Sequence, residues 1–325
     1  MRLYDSWREG HSDPWEKMRY PANVPPGDPA PATPLSAWIG ALLITVLAGL
    51  VAWTIAIEAG APPAAPFVEF NQARVSALRS QSQTQDAVTV VMLGSSALKY
   101  ATRQESAFAD AISSKIKRPV YVLRIASNWG TFSDYVPLAH DLAALRPDLV
   151  VLQRELLATD RPRMRSFMLW IEGARQSLGV ASPLASSAED EAYVQFEHPC
   201  WKRGFGRGIA DHVRERDEWV ALRPDGPAAV AARRFVDELL AAGVGVALVD
   251  IPRRSDYDIE ARQLRDATTS GARFAALQNR VQLWVHGPLD AGLYCDLTHV
   301  TPAGQAVISS WLESKVADAL AQPPA

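Results

Sequence analysis

Val88-Thr89-Val90-Val91-Met92-Leu93-Gly94-Ser95-Ser96-Ala97-Leu98 decides the reading of the chain. Its first six residues are β-branched or apolar, with Thr89 the one polar interruption, and predict a strand buried on both faces, as at the centre of a parallel sheet. The apolar run stops at Gly94. Glycine allows the tight backbone needed to leave a strand, and the two hydroxyl residues after it fall at the strand's carboxyl end, where open α/β sheets place their ligands. A helix pattern resumes over Thr102–Ile116, so Ser96 is presented on a strand-to-helix turn, the geometry a nucleophile needs. Gly-Ser-Ser is also a common turn sequence, and this stretch alone leaves a plain turn open as the other reading.

Outward from this strand the periods alternate. Strand Val120–Ile125 precedes helix Ser133–Leu145, strand Leu149–Gln153 precedes helix Arg163–Leu178, and helix Pro227–Ala242 leads to strand Val244–Asp250. Helix Asp258–Gln278, strand Val281–Val285 and helix Pro302–Leu320 complete the set. Short apolar strands joined through helices imply a three-layer α/β/α domain with a parallel sheet of about five strands and right-handed crossovers. The first strand is expected at its centre, with Gly94-Ser95-Ser96 at the topological switch point. Between about 179 and 227 the alternation fails over a length that exceeds a normal connection, which marks an insertion, a lid or a surface excursion.

The N-terminal part is of another kind. Residues 1–34 are polar, dotted with Trp and Tyr and increasingly Pro-rich, and read as a flexible tail. Ala37–Ile57 then runs AWIGALLITVLAGLVAWTIAI, 21 residues without a charge and with Trp38 and Trp53 near its ends. That is long enough to cross a bilayer, so a transmembrane helix is expected over 35–58. Arg2, Arg8, Lys17 and Arg19 precede it, whereas the next basic residues after it are Arg74 and Arg79. The asymmetry puts the N-terminus in the cytoplasm and the rest in the periplasm or outside, anchored to the inner membrane. A cleaved signal peptide ending near Ala59-Gly60-Ala61 is the alternative, disfavoured by the length of the run and its distance from Met1. A Pro/Ala-rich spacer over 59–70 leads to the folded domain, 71–325, which should begin near Phe67 or Asn71.

The net charge of −3 and a pI near 6.1 supply no basic footprint, which excludes nucleic acid as an expected partner. Cys200 and Cys295 are the chain's two cysteines, and composition leaves their pairing open. His198 and His212 near Cys200 match no zinc spacing, and neither a metal nor a cofactor is implied. Arg161, Arg163 and Arg165 alternate with Met164, Phe167, Met168, Trp170 and Ile171, as on a membrane-surface helix or an ordinary helix with a core face and a solvated face.

An answer to Ser96 stands near the C-terminus, in Tyr294-Cys295-Asp296-Leu297-Thr298-His299-Val300-Thr301-Pro302. Thr301 and Pro302 read as an N-cap and first helical position, placing Asp296 and His299 on the loop entering the last helix. An aspartate three residues before a histidine on a tight loop can accept from one ring nitrogen, which leaves the other to take the serine proton. Ser96 is therefore the candidate nucleophile, His299 the general base and then acid, and Asp296 the group that orients it. Arg253 and Arg254, after strand Val244–Asp250, could hold an acidic group or stay solvated. The Gly-x-Ser-x-Gly elbow of α/β-hydrolases is absent around Ser96.

These residues resemble the SGNH (GDSL-type) hydrolase family. Gly94-Ser95-Ser96 is similar to the block I Gly-Asp-Ser, with serine in place of aspartate, and Asp296-Leu297-Thr298-His299 to the block V Asp-x-x-His. Asn128-Trp129-Gly130 resembles block II, and Arg146-Pro147-Asp148-Leu149-Val150-Val151-Leu152 resembles the strand leading to block III. The resemblance covers most of 85–320, outside the insertion. It implies a serine esterase or acyltransferase with no cofactor, an oxyanion hole from the Ser96 and Gly130 N–H groups, and a substrate site near Ser95 and Asn128. The block III Gly-x-Asn-Asp is replaced by Gln153-Arg154-Glu155, so Gln153 becomes the expected third donor and Arg154 a charged one. The Gly-Ser-Ser variant and the single span also resemble membrane-tethered members that modify envelope polysaccharide or exopolysaccharide, some beside a membrane-bound O-acyltransferase. The expected substrate is accordingly an O-acyl, in particular O-acetyl, group on such a polysaccharide. A lipid or small-ester hydrolase is the alternative, and so is a silent domain of this fold that binds polysaccharide or an assembly partner.

Overall fold

Along each long strand the apolar residues sort by parity, and this parity builds the layers. A computed structural model describes residues 35–59, 65–84, 86–177, 217, 220–255, 257, 277 and 279–322. Strands β1 (Val88–Ser95), β2 (Val120–Ser127), β3 (Leu149–Gln153), β6 (Gly245–Asp250) and β7 (Gln282–Val285) form one parallel sheet in the order β2-β1-β3-β6-β7. Val91, Leu93, Leu123, Ile125, Val150, Leu152, Val246 and Leu248 face one core, under helices α2 (Ala65–Thr84), α5 (Val136–Leu145) and α7 (Pro227–Ala241). Val90, Met92, Val120, Val151, Ala247 and Val249 face the other, under α3 (Ser96–Ala101), α4 (Glu105–Ile116) and α8 (Pro302–Ala321). The chain is thus the three-layer α/β/α fold that the alternation of periods implies.

The strand order corrects one expectation. The central strand is β3, and β1 lies between β2 and β3. Gly94-Ser95-Ser96 still stands at the switch point, because the order runs outward one way from β1 to β2 and the other way from β3 to β6 and β7. Two further elements differ from the sequence reading. α2 was not expected, because Asn71, fully buried, interrupts the apolar spacing of Phe67, Val75 and Leu78; its Nδ2 donates to the Phe67 carbonyl at 2.8 Å. The helix expected over Thr102–Ile116 is α4, which starts at Glu105, and a further short helix, α3, starts at Ser96 itself and is parted from it by extended backbone at Thr102.

α6 spans Arg163–Ser177 and exposes Met164 and Met168, with Ser166 buried. Ahead of it, β4 (Thr159–Asp160) pairs antiparallel with β5 (Ala221–Leu222), at the distal end of the expected insertion. The rest of that insertion and the helix expected over Asp258–Gln278, apart from Leu277, lie outside the described residues. The described residues divide into two units between Val51 and Ala52. Helix α1 (Leu35–Ala59) carries, over Leu35–Thr54, an apolar stretch long enough to cross a membrane or to serve as a signal sequence, and its large apolar side chains such as Leu43, Leu47 and Leu50 are exposed.

Leu152 in the central strand and Val285 in the edge strand test this layering. Leu152→Ala should cost about 2–5 kcal/mol, since the side chain is fully buried and its loss leaves a cavity. Val285→Ala, at a side chain 50% exposed, should stay within about 0.5 kcal/mol. Urea unfolding of both variants in detergent reads the difference.

Candidate active site

Ser96 and His299 are separated by 203 positions and meet at the carboxyl edge of the sheet. Ser95 ends β1 in extended conformation and caps α3, its Oγ accepting from the Ala97 N–H at 3.3 Å. Ser96 is therefore the first residue of a helix, half-buried, with its hydroxyl turned toward the C-terminal loop. The His299 Nε2 lies 2.9 Å from Ser96 Oγ, and the His299 Nδ1 lies 2.7 Å from Asp296 Oδ2. A carboxylate accepts only, so Nδ1 carries the proton and Nε2 is free to accept from the serine. The Tyr100 ring packs edge-on against the imidazole, centroids 5.3 Å apart, and fixes its plane.

The three-residue spacing of Asp296 and His299 has a local cause. Asp296 Oδ1 accepts the backbone N–H groups of Thr298 at 2.8 Å and His299 at 2.7 Å, which bends the loop back on its own carboxylate and leaves Oδ2 for the ring. Thr301 Oγ1 then caps α8 by accepting from the Gly304 N–H at 3.2 Å. Burial pushes the Asp296 carboxyl up, but the hydrogen bond and charge of His299 and the two loop N–H groups outweigh it and hold the group well below the carboxylate range. Cys295, beside it, is disulfide-bonded, whereas Cys200, the other cysteine of the chain, lies outside the described residues.

The remaining expected residues take distinct places. Gln153 ends β3 with its Oε1 accepting from the Ser95 N–H at 2.7 Å and from the Ser95 Oγ at 3.0 Å, while its Nε2 donates to Glu155 Oε2 at 3.1 Å. The Gly130 N–H closes a turn on the Ser127 carbonyl at 3.1 Å. Two of the three expected oxyanion donors, the Gly130 N–H and the Gln153 amide, are thus engaged within the protein. In that turn Trp129 adopts a left-handed φ of 51°, an uncommon conformation for a bulky residue, and Asn128 is exposed. Arg154 is buried and paired with Asp250 at 3.1 Å. Arg253 is paired with Glu155 and stands over the Tyr257 ring, 5.8 Å from its centroid. Burial would lower the Arg253 guanidinium, yet Glu155, with Tyr257 and Asp250 adding, raises it above its ordinary value. The Arg254 N–H donates to the Leu297 carbonyl at 3.2 Å and so ties the loop after β6 to the Asp296 loop.

Several residues that hold the site gave no signal in the sequence. The Tyr135 hydroxyl, fully buried, donates to the Gly94 carbonyl at 2.6 Å and accepts from the Ser127 N–H at 3.1 Å, joining the ends of β1 and β2. The Arg124 guanidinium donates to the carbonyls of Lys99 at 3.2 Å, Thr102 at 3.3 Å and Arg103 at 2.8 Å, the end of the short helix that Ser96 begins. Burial lowers this group to about 10, with Glu105 opposing and Arg74 reinforcing the change. Asp134 caps the turn after Gly130, accepting from the Thr131 N–H at 3.0 Å, and is held by Arg161 at 2.6 Å.

Fold and site together define an α/β chain with a hydrogen-bonded Ser, His and Asp at the carboxyl edge of a parallel sheet. No family model matches the chain, and no curated protein does. Among solved structures it is similar to a GDSL-like lipase from Bacteroides thetaiotaomicron, at 12% identity and a TM-score of 0.38, over 78% of this chain and 98% of that one. It is also similar to the lipase Lip_vut3 from a goat rumen metagenome, at 10% identity and a TM-score of 0.33, over 71% of this chain and 97% of that one. Similarity this remote says nothing of activity.

The Asp296 carboxyl gives a test by pH. Its folded value lies below the ordinary value of about 4, so on acidification the unfolded chain takes up the proton first. The stabilisation is complete above that value and is lost as pH falls toward the folded one. Asp296→Asn should be less stable than the parent at pH 7 and should lose less further stability between pH 5 and pH 3. Unfolding midpoints across that range measure it, and equal acid slopes would place the charge effect elsewhere.

Proposed function

We propose that this chain is a membrane-held serine acyl-esterase or O-acyltransferase of SGNH type, working through an acyl-serine intermediate. One observation carries the reading: the unbroken path from Ser96 Oγ to His299 Nε2 at 2.9 Å and from His299 Nδ1 to Asp296 Oδ2 at 2.7 Å. In the proposed reaction Ser96 Oγ attacks the ester carbonyl while His299 takes its proton. Asp296 keeps the imidazole in the accepting tautomer and stabilises the imidazolium that forms. The tetrahedral intermediate collapses as His299 gives the proton to the leaving alcohol. Water or a sugar hydroxyl, deprotonated by the same nitrogen, then releases the acyl group. The Ser96 N–H, on the first turn of α3 where helix amides have no intrahelical acceptor, is the primary oxyanion donor. The Gly130 N–H joins it when the turn over 127–130 reorients around substrate.

The proposed substrate is an O-acyl, in particular O-acetyl, group on an envelope or secreted polysaccharide, with a membrane-bound O-acyltransferase as partner. The apolar helix before the domain and the basic residues ahead of it support an extracytoplasmic site. The resemblance of Gly94-Ser95-Ser96 to tethered members of the family supports the acyl chemistry. Lipid or small-ester hydrolysis runs on the same residues and needs an apolar acyl slot. A catalytically silent binding domain is favoured by one observation, the engagement of both the Gly130 N–H and the Gln153 amide within the protein.

Covalent trapping distinguishes these. The full chain in detergent is treated with a fluorophosphonate or an activated acetyl ester, and the adduct is located by peptide mass spectrometry. Labelling should fall on Ser96, vanish in Ser96→Ala and slow by on the order of 10⁴-fold in His299→Ala. Sugar acceptors added to the acetyl-enzyme separate transfer from hydrolysis. A folded protein that takes no label would favour the silent domain.

A further inference from the structure

We propose that Gln153, Glu155 and Arg253 form a positioning relay that aims the Ser96 turn, with the Gln153 carbonyl oxygen, not its amide nitrogen, turned toward the nucleophile. The proposal rests on the reading of Ser96 as nucleophile and assigns a role to the segment that replaces the expected block III asparagine.

The orientation of the Gln153 amide follows from its two neighbours. The Ser95 N–H can only donate, so the group 2.7 Å from it is the oxygen. The Glu155 carboxylate can only accept, so the group 3.1 Å from its Oε2 is the nitrogen. The other Glu155 oxygen is taken by the Arg253 guanidinium, itself 12% exposed and placed over Tyr257. Asp250, the last residue of β6, is bound by Arg154. Donation therefore converges on Glu155, from Arg253 on one side and, through the Gln153 amide, from Ser95 on the other.

Little slack remains at the serine end. A Cβ on Gly94 would stand 2.7 Å from Gln153 Oε1 and 2.6 Å from Leu98 Cδ2, so the amide is wedged against the backbone that carries Ser95. Ser95 pairs with Ser127 in the ladder and caps α3, so a shift of Ser95 moves Ser96 relative to His299. Gln153 acts on the reaction through Ser95 and is a positioning residue. Glu155 acts one step further back, by denying the amide its flipped orientation, and Arg253 holds Glu155.

An exchange of the two side chains tests the relay. In Glu155→Gln the new amide can offer its oxygen to Arg253 or to Gln153 but not to both, and one hydrogen bond is lost. In Gln153→Glu two carboxylates face each other. Each single variant should slow fluorophosphonate labelling of Ser96 in the full chain by about 10- to 100-fold, and should lower kcat on an activated acetyl ester with KM little changed. The double variant reverses the middle hydrogen bond but gives every group a partner again. The amide at position 155 donates to the carboxylate at position 153 and accepts from Arg253, while that carboxylate accepts from the Ser95 N–H. Its rate should return to within about 3-fold of the parent.

If Gln153 instead donates to the oxyanion, the double variant loses that donor and should stay slower by on the order of 10²–10³, which overturns the relay. Labelling of Glu155→Gln at the parental rate overturns it as well. A parent that labels nowhere overturns the nucleophile reading on which the relay rests, and is told apart from these outcomes by the parent alone. Both single variants are close in size to the parent residues, and melting temperatures taken beside the rates separate a folding loss from a rate loss that the double variant rescues.

Discussion

The arrangement of the site depends on β1 having no solvent on either face. From Val88 to Leu93 its side chains are buried, with β2 paired along the whole run on one side and β3 from Val90 on the other. The polar side chains of the site stand where the ladders stop, and the two stop at different places. Pairing with β3 ends at Leu93 and Leu152, whereas pairing with β2 continues to Ser95 and Ser127. The Ser95 N–H thereby takes a side-chain acceptor where a longer β3 would have given a backbone one, and Gln153 Oε1 fills that place. A switch point is in this sense an electrostatic demand. Two diverging strands leave unpaired main-chain groups, and the chain meets them with the side chains that also shape the site.

Buried charges join the loops above this edge. Arg154 with Asp250, and Glu155 with Arg253, tie the end of β3 to the end of β6. Asp134 with Arg161 ties the turn after β2 to the segment before α6, and Arg124 ties β2 to the end of α3. Removing two charges from water costs nearly what their attraction returns, so such pairs add little net stability. They fix position, because each guanidinium is tied to a carboxylate or carbonyl on another loop. That role suits loops that must hold a serine, a histidine and an aspartate within hydrogen-bond reach.

The sheet was legible in the sequence because strands buried on both faces have no alternative period, as in Val88–Leu93 and Leu149–Gln153. The core helices were legible where the apolar spacing was clean, as in α7 with Phe235, Val236 and Leu239. α2 was not, since its apolar residues are sparse and a buried asparagine stands among them. The position of β1 was misread because a continuous apolar run shows burial on both faces and nothing about which neighbour lies further out. β2 and β7 are the edges here, and β7 shows it, with only Trp284 buried.

At the site the same division holds between local and distant contacts. Asp296 and His299 are three apart, and the carboxylate that orients the ring also folds the loop between them, so the pairing is written into consecutive residues. Ser96 lies on a strand end with its own local signature, and the two motifs could be joined without knowing the path between them. Gln153 and Glu155 are also near neighbours, but their partners Ser95 and Arg253 stand 58 and 98 positions away. No local pattern distinguishes an amide that donates to an oxyanion from one that accepts from a backbone N–H. That choice is made by which groups the fold brings to its two ends, and here a carboxylate stands at one end and a main-chain donor at the other.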